Sequence, residues 1–135
     1  MRPELSKKSP YWIERHRYYE LKHFCLQYPI WKKLSAAFDG RTPPPSTVLE
    51  RVRASVLHDP TAEAAEARIF FLDRMELVER AAKLADKDYW DRLLYGITQG
   101  IPYDVMHAKM PLGLTRDEYY ERYRKFFWIL DSLRG

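Results

Sequence analysis

Residues 102–133 read PYDVMHAKMPLGLTRDEYYERYRKFFWILDSL, and the fold class turns on how that stretch is parsed. A short helix is predicted over 102–109, and Met110-Pro111-Leu112-Gly113-Leu114 follows as a Gly-containing turn. Thr115 can cap what comes next, because its hydroxyl accepts a bond from an unpaired backbone N–H. A long final helix is therefore expected to about Leu133, with Tyr119, Tyr123, Phe126, Phe127 and Leu130 as its inward stripe. Helix, short helix, turn and longer helix is the order of elements in a helix-turn-helix unit.

Upstream, Asp86 or Asp88 can cap a helix whose stripe is Tyr89, Trp90, Leu93, Leu94 and Ile97, stopped by Gly100. Asp59-Pro60 places a capping acceptor before a proline at a first helical position. The longest helix is expected over 60–85, with Ala65, Ile69, Leu72, Val78 and Ala82 inside and Glu76, Glu79, Arg80 and Lys83 outside. Residues 41–58 hold a Pro-rich spacer and a short helix. Nearer the start, Ser9-Pro10 repeats the helix-start signal, and Trp12, Tyr19 and Leu26 recur at sevens. Pro29 should break that helix and leave a second one over 30–38, since proline lacks the N–H and disfavours helix at Tyr28. Residues 1–9 read as a flexible arm.

A chain of 135 residues suits one domain with a real core, here 10–135, with 10–40, 41–58 and 59–135 as its parts and the helix-turn-helix-like unit at 102–133. Aromatics reach 15% of residues and glycines number only five, so burial is affordable and helices are favoured over Gly-rich β turns. The expected fold is all-α, a small helical bundle with a helix-turn-helix-like unit at its C-terminus. A lone Cys25 makes no intramolecular disulfide, and no leader pattern or apolar run long enough for a membrane span is seen. A cytoplasmic protein without membrane contact is expected. No P-loop, dinucleotide glycine pattern or Cys-x-x-Cys occurs, which leaves no support for an enzyme.

If the final helix turns its aromatic stripe inward, Arg116, Tyr120 and Arg124, spaced by four, point outward together. Arg116 is then the candidate for base edges, Tyr120 for a groove or sugar contact, and Arg122, Arg124 and Lys125 for phosphates. Asp117, Glu118 and Glu121 oppose this, since they repel phosphate. The competing reading makes these charges the solvated face of a packing helix. A second basic and aromatic surface is offered by Arg15, Arg17, Lys22, Lys32 and Lys33, interleaved with Trp12, Tyr18, Tyr19 and Trp31. Residues 1–40 carry eight basic against four acidic side chains, which accounts for the whole net charge of +4. Nucleic acid could lie along it, or the aromatics could be core. His16, Glu20 and His23 align on one face, but no second Glu-x-x-His exists to complete a bundle metal site, so no metal or cofactor is expected. Cys25 reads as buried, because positions two apart point to different sides of a helix and His23 is a poor base for it.

The stretch His16-Arg17-Tyr18-Tyr19-Glu20-Leu21, the proline-containing spacer, the start Asp59-Pro60-Thr61 and the run Tyr119-Tyr120-Glu121-Arg122-Tyr123-Arg124-Lys125-Phe126 together resemble phage late-gene transcriptional activators of the RinA and ArpU kind. That resemblance implies a sigma-region-4-like helix-turn-helix that binds double-stranded promoter DNA to switch on phage late genes, with host RNA polymerase as a further partner; the remaining helices are then expected to serve core or homodimer contacts. Pro111-Leu112 departs from the pattern as an insertion in the turn. The alternative is a small phage protein that binds and inhibits a host nuclease or polymerase on a regulator-like fold.

Overall fold

Proline and glycine set the boundaries between the helices. In the computed structural model, which describes residues 4–38 and 60–135, the elements are α1 (Arg15–Leu26), α2 (Tyr28–Ala37), α3 (Pro60–Ala85), α4 (Trp90–Gln99), α5 (Tyr103–Lys109) and α6 (Arg116–Arg134). Among the described residues there is no strand, and the protein is a small all-α bundle. The expected spacer and short helix at 41–58 lie outside the described residues. Two compact units are formed, one from Met1–Gln27 with Leu77–Gly135, the other from Tyr28–Glu76.

In the first unit α1 packs on α4 and α6, α4 on α6, and α5 on α6. The helix start expected at Ser9-Pro10 is displaced to Arg15. Ser9 Oγ does accept the Tyr11 N–H at 3.1 Å, but as part of a turn. The acceptor that opens α1 is the Glu14 carboxylate, which takes the His16 and Arg17 N–H groups at 2.7 and 3.1 Å. The turn sets Tyr11 edge-on to Trp128 with ring centroids 5.5 Å apart and buries Ile13. Asp86 accepts the Asp88 and Tyr89 N–H groups at 2.8 Å and so holds the turn before α4, instead of capping the helix as expected; the cap position itself, Tyr89, makes no side-chain capping bond. Gly100 ends that helix at φ 66°, a left-handed position that suits a residue without Cβ. Thr115 and Glu118 form a reciprocal capping box at the start of α6.

The inward stripe of α6 is as the sequence predicts, since Tyr119, Tyr123, Phe126, Phe127 and Leu130 are all buried. They meet Tyr18, Leu21 and Cys25 of α1, Leu93 and Ile97 of α4, and Val78, Ala81, Ala82 and Ala85 from the last turns of α3 as members of one unit's core.

In the second unit α2 begins one residue before Pro29, so the proline sits in the first turn where its missing N–H has no partner to lose. Phe38 and Ala67 are buried together, with Ala37, Ala64 and Phe71 packed against them. In this part of α3 the inner face is shifted from the one expected, whereas Val78 and Ala82 of its last turns are buried as expected. Ile69 is 57% exposed and Ala65 is exposed, while Ala67 is buried. The four consecutive apolar residues from Ile69 to Leu72 reach all round the helix, so hydrophobicity alone does not set its phase.

Candidate functional site

The start of α6 differs from the outward basic face expected of it in one decisive position. Tyr120 is 7% exposed, its hydroxyl accepts the Tyr103 N–H at 3.5 Å, and its ring lies 5.5 Å from that of Tyr123. It belongs to the core and is not placed to touch a nucleic-acid groove. The reason is the doublet Tyr119-Tyr120, which supplies two aromatic rings at adjacent positions. Tyr119 faces Tyr103 at 5.5 Å, and α5 covers the second ring as well.

The four cations expected beside Tyr120 have separate surroundings. The Arg116 side chain is 52% exposed, 3.9 Å from the Asp104 carboxylate and 5.3 Å from the Tyr120 ring centroid. Arg122 is held inside the protein's own network, donating to the Asp86 carboxylate and to the Glu118 carbonyl at 3.0 Å. Arg124 is half-buried. Lys125 is half-buried and its ammonium lies 5.9 Å from the Tyr11 ring. Between them stand the exposed Asp117, Glu118 and Glu121. Bonds from the Thr115 N–H and hydroxyl region hold the Glu118 carboxyl below the usual carboxylate range, so its negative charge is secure.

The second basic surface is divided. Arg15, Arg17 and Lys22 belong to the first unit, Lys32 and Lys33 to the other. Arg17 donates to Asp131 at 2.6 Å and to Glu20 at 2.9 Å. Arg15 and Lys22 lie about 6 Å from the Tyr19 ring, at 5.9 and 6.0 Å. Tyr18 and Trp31 are core side chains, whereas Trp12 is 42% exposed. Glu20 accepts from Arg17 and, at 3.1 Å, from Arg134. Among the described residues no group of three His, Cys, Asp or Glu side chains could hold a metal ion. Cys25 has no exposure, and burial pushes its thiol up, with Arg134 opposing only in part. It is no nucleophile at neutral pH.

A different feature of the first unit has the form of a binding site. Tyr95 of α4, Ile101, Met106 of α5, and Met110 and Leu112 of the following turn line a groove of about 310 Å3, together with the charged Asp91, Arg92 and Lys109. Tyr95 is 54% and Met110 58% exposed, against 6% for Met106 and 2% for Leu112. The floor is thus fixed core and the rim is open apolar surface. Its signal in the sequence was the apolar content of a turn, Met110-Pro111-Leu112-Gly113-Leu114, where polar residues are the norm. Among the described residues, no helix is long and apolar enough to cross a membrane.

The chain matches no protein-family model, no curated protein and no solved structure. Its function has to be argued from this geometry.

Proposed function

We propose that the protein is a small binding protein, not an enzyme, and that its partner is another protein received in the groove between α4 and α5. The observation that carries this reading is the exposed pair Tyr95 and Met110 above the buried Met106 and Leu112. Interface anchors are aromatic or long aliphatic side chains set into pockets with immobile floors. Methionines let such a pocket adapt its shape to the guest. Arg92 and Lys109 outnumber Asp91 among the charged lining residues, so the fitting partner is a segment with an apolar anchor beside acidic residues.

The regulator reading is retained as a second one for a specific reason. Arg116 opens a capped helix that follows a short helix and a turn, and half of its side chain is free to solvent. Against it stand the burial of Tyr120, the engagement of Arg122 by Asp86, and the carboxylates of Asp104, Asp117, Glu118 and Glu121 around the helix start.

The two are separated by a photo-cross-linking residue placed at Tyr95 or at Glu121 in the full chain, expressed in its native host. A protein adduct at position 95, lost in Met110→Glu, is expected, with nothing captured at 121. DNA captured at 121, together with anisotropy binding to a specific duplex that weakens steeply with salt and is lost in Arg116→Ala, would replace the protein reading with the regulator one.

A further inference from the structure

The groove between α4 and α5 fits an apolar anchor beside acidic residues, and one face of this chain's own α3 has that composition. Ile69 and Phe70 are large apolar side chains exposed to solvent. Glu66 and Asp73, also exposed, stand at i−3 and i+4 from Ile69 and at i−4 and i+3 from Phe70. At 3.6 residues per turn the two carboxylates therefore fall between the two apolar side chains around the helix axis, one a turn before them and the other a turn after. Among the described residues neither carboxylate makes an ion pair. Arg74 borders the face, with its guanidinium 3.3 Å from the Phe70 ring centroid, and the ring is exposed all the same.

The groove offers the opposite set. Arg92 and Lys109 line it and make no ion pair among the described residues, Arg92 lying 5.1 Å from the Tyr89 ring centroid. Its apolar floor and rim have room for large side chains, with a volume of about 310 Å3. Other exposed apolar side chains keep the wrong company for it. Leu84 has Arg80 four places before it and Lys87 three places after, Trp128 has Arg124 and Lys125 in the turn before it, and Ile30 has Lys33 in the turn after. Each of these would bring like charge against Arg92 and Lys109. The carboxylate nearest Trp12, that of Glu14, is already taken by the N–H groups that open α1.

We propose that the guest of the groove is a second copy of this chain, which presents the α3 face of Glu66, Ile69, Phe70 and Asp73. The proposal rests on the reading of the groove as a receptor for protein, and it names the protein. A helix laid into an apolar groove is held by anchors that share one face, here Ile69 and Phe70, while the two carboxylates meet the two cations at the rim. Each copy carries both the groove and the face. The contact is therefore heterologous, made twice in a reciprocal pair or once per copy in a head-to-tail chain.

Sedimentation equilibrium of the full chain tests this. The mass should climb above that of one chain as concentration rises and fall back in added salt, which screens the rim charges. Met110→Glu spoils the groove and Ile69→Lys spoils the guest face, and each variant should keep the mass of one chain. Both replace exposed side chains, so their helix content and melting temperature in dilute solution should match the parent's. Mixing the two variants should restore a pair and nothing larger, because one intact groove then meets one intact face. The adduct captured by a cross-linking residue at position 95 should have the mass of two chains. A parent that stays a single chain at every concentration, an Ile69→Lys variant that associates like the parent, or a mixture that does not pair would overturn the proposal. With a foreign protein captured at position 95 in place of a second copy, the proposal falls and the groove reading stands; a single-chain parent with no adduct there removes both.

Discussion

Single residues carry most of what distinguishes this molecule, and two of them permit direct tests. Asp86 is 10% exposed in its side chain and takes two backbone N–H bonds and the Arg122 guanidinium. Burial raises its carboxyl, but the Tyr89 N–H, Arg122 and the Asp88 N–H outweigh burial and leave it below the ordinary range. A carboxyl lowered by folding stabilises the protein fully above its unfolded value, near 4, and ceases to do so as pH falls through its folded value. Asp86→Asn keeps the oxygen that accepts the two backbone bonds of the turn and loses the charge. Urea denaturation should show the variant less stable by about 1 kcal/mol at pH 7, with the gap closing below about pH 4. A gap independent of pH would mean that the Arg122 pair contributes nothing.

Gly96 is the second. In most helices Gly→Ala is stabilising by about 1 kcal/mol, but here the new methyl meets the Tyr119 oxygen at 2.4 Å and the Met106 side chain at 2.6 Å. Met106 can move and a packed tyrosine ring cannot, so Gly96→Ala should lower stability by about 1–3 kcal/mol. Adding Tyr119→Phe to it should restore much of the loss, seen as a positive coupling in a double-mutant cycle. Additive losses would place the clash elsewhere. Neither residue was legible as special in the sequence. Gly96 sits mid-helix without any turn signal, and Tyr119-Tyr120 offers two equal rings for one inward position. A spacing rule that puts one of them inside puts the other out, whereas α5 covers both.

At the scale of elements, the sequence carries the start and stop signals almost completely. Gly100 and Thr115 act as caps where they were expected, Asp86 holds the turn just before α4, and Pro29 lies in the first turn of α2 just past the break at Gln27. Capping chemistry is local, which is why it can be seen without a structure. The phase of a helix is not local, and α3 shows it, for the run Ile69 to Leu72 offers several equivalent inner faces until Phe38 selects the one through Ala67 and Phe71. The Glu14 cap was missed because a glutamate before a helix is an uncommon capping acceptor and Ser9-Pro10 gives the stronger signal. The cap on α6 makes a clean prediction. The Thr115 hydroxyl accepts the Glu118 N–H at 3.2 Å and the Glu118 carboxylate returns a bond to the Thr115 N–H at 2.9 Å. Thr115→Ala should destabilise the protein by about 1 kcal/mol, whereas Thr115→Ser should leave it close to the parent in the same urea titration. Equal losses for both would assign the effect to the missing methyl and not to the cap.

At the scale of the whole chain, the division into two units runs through α3, whose two parts belong to different cores. Among the described residues, the largest side chains with almost no exposure, including Tyr18, Leu21, Leu93, Phe126, Phe127 and Leu130, all fall in the first unit. Among the described residues of the second, Trp31, Phe38 and Ala67 are buried apolar side chains. Local opening is cheapest where few apolar groups are buried, and within α3 the stretch 62–76 buries Ala67 whereas 78–85 buries Val78, Ala81, Ala82 and Ala85, so the two parts should differ even though they belong to one continuous helix. Amides at 62–76 should exchange with solvent faster than those at 78–85. Fraying of a helix end would produce the same order, so the deciding experiment uses Phe38→Ala, which removes a ring that is 5% exposed and should cost its unit about 3 kcal/mol. Exchange should accelerate at 31–38 and 62–76 and stay unchanged at 78–85 and throughout α6. Uniform acceleration along the chain would show instead that the protein opens as one cooperative body, and the groove between α4 and α5 would then share its stability with residues that do not line it.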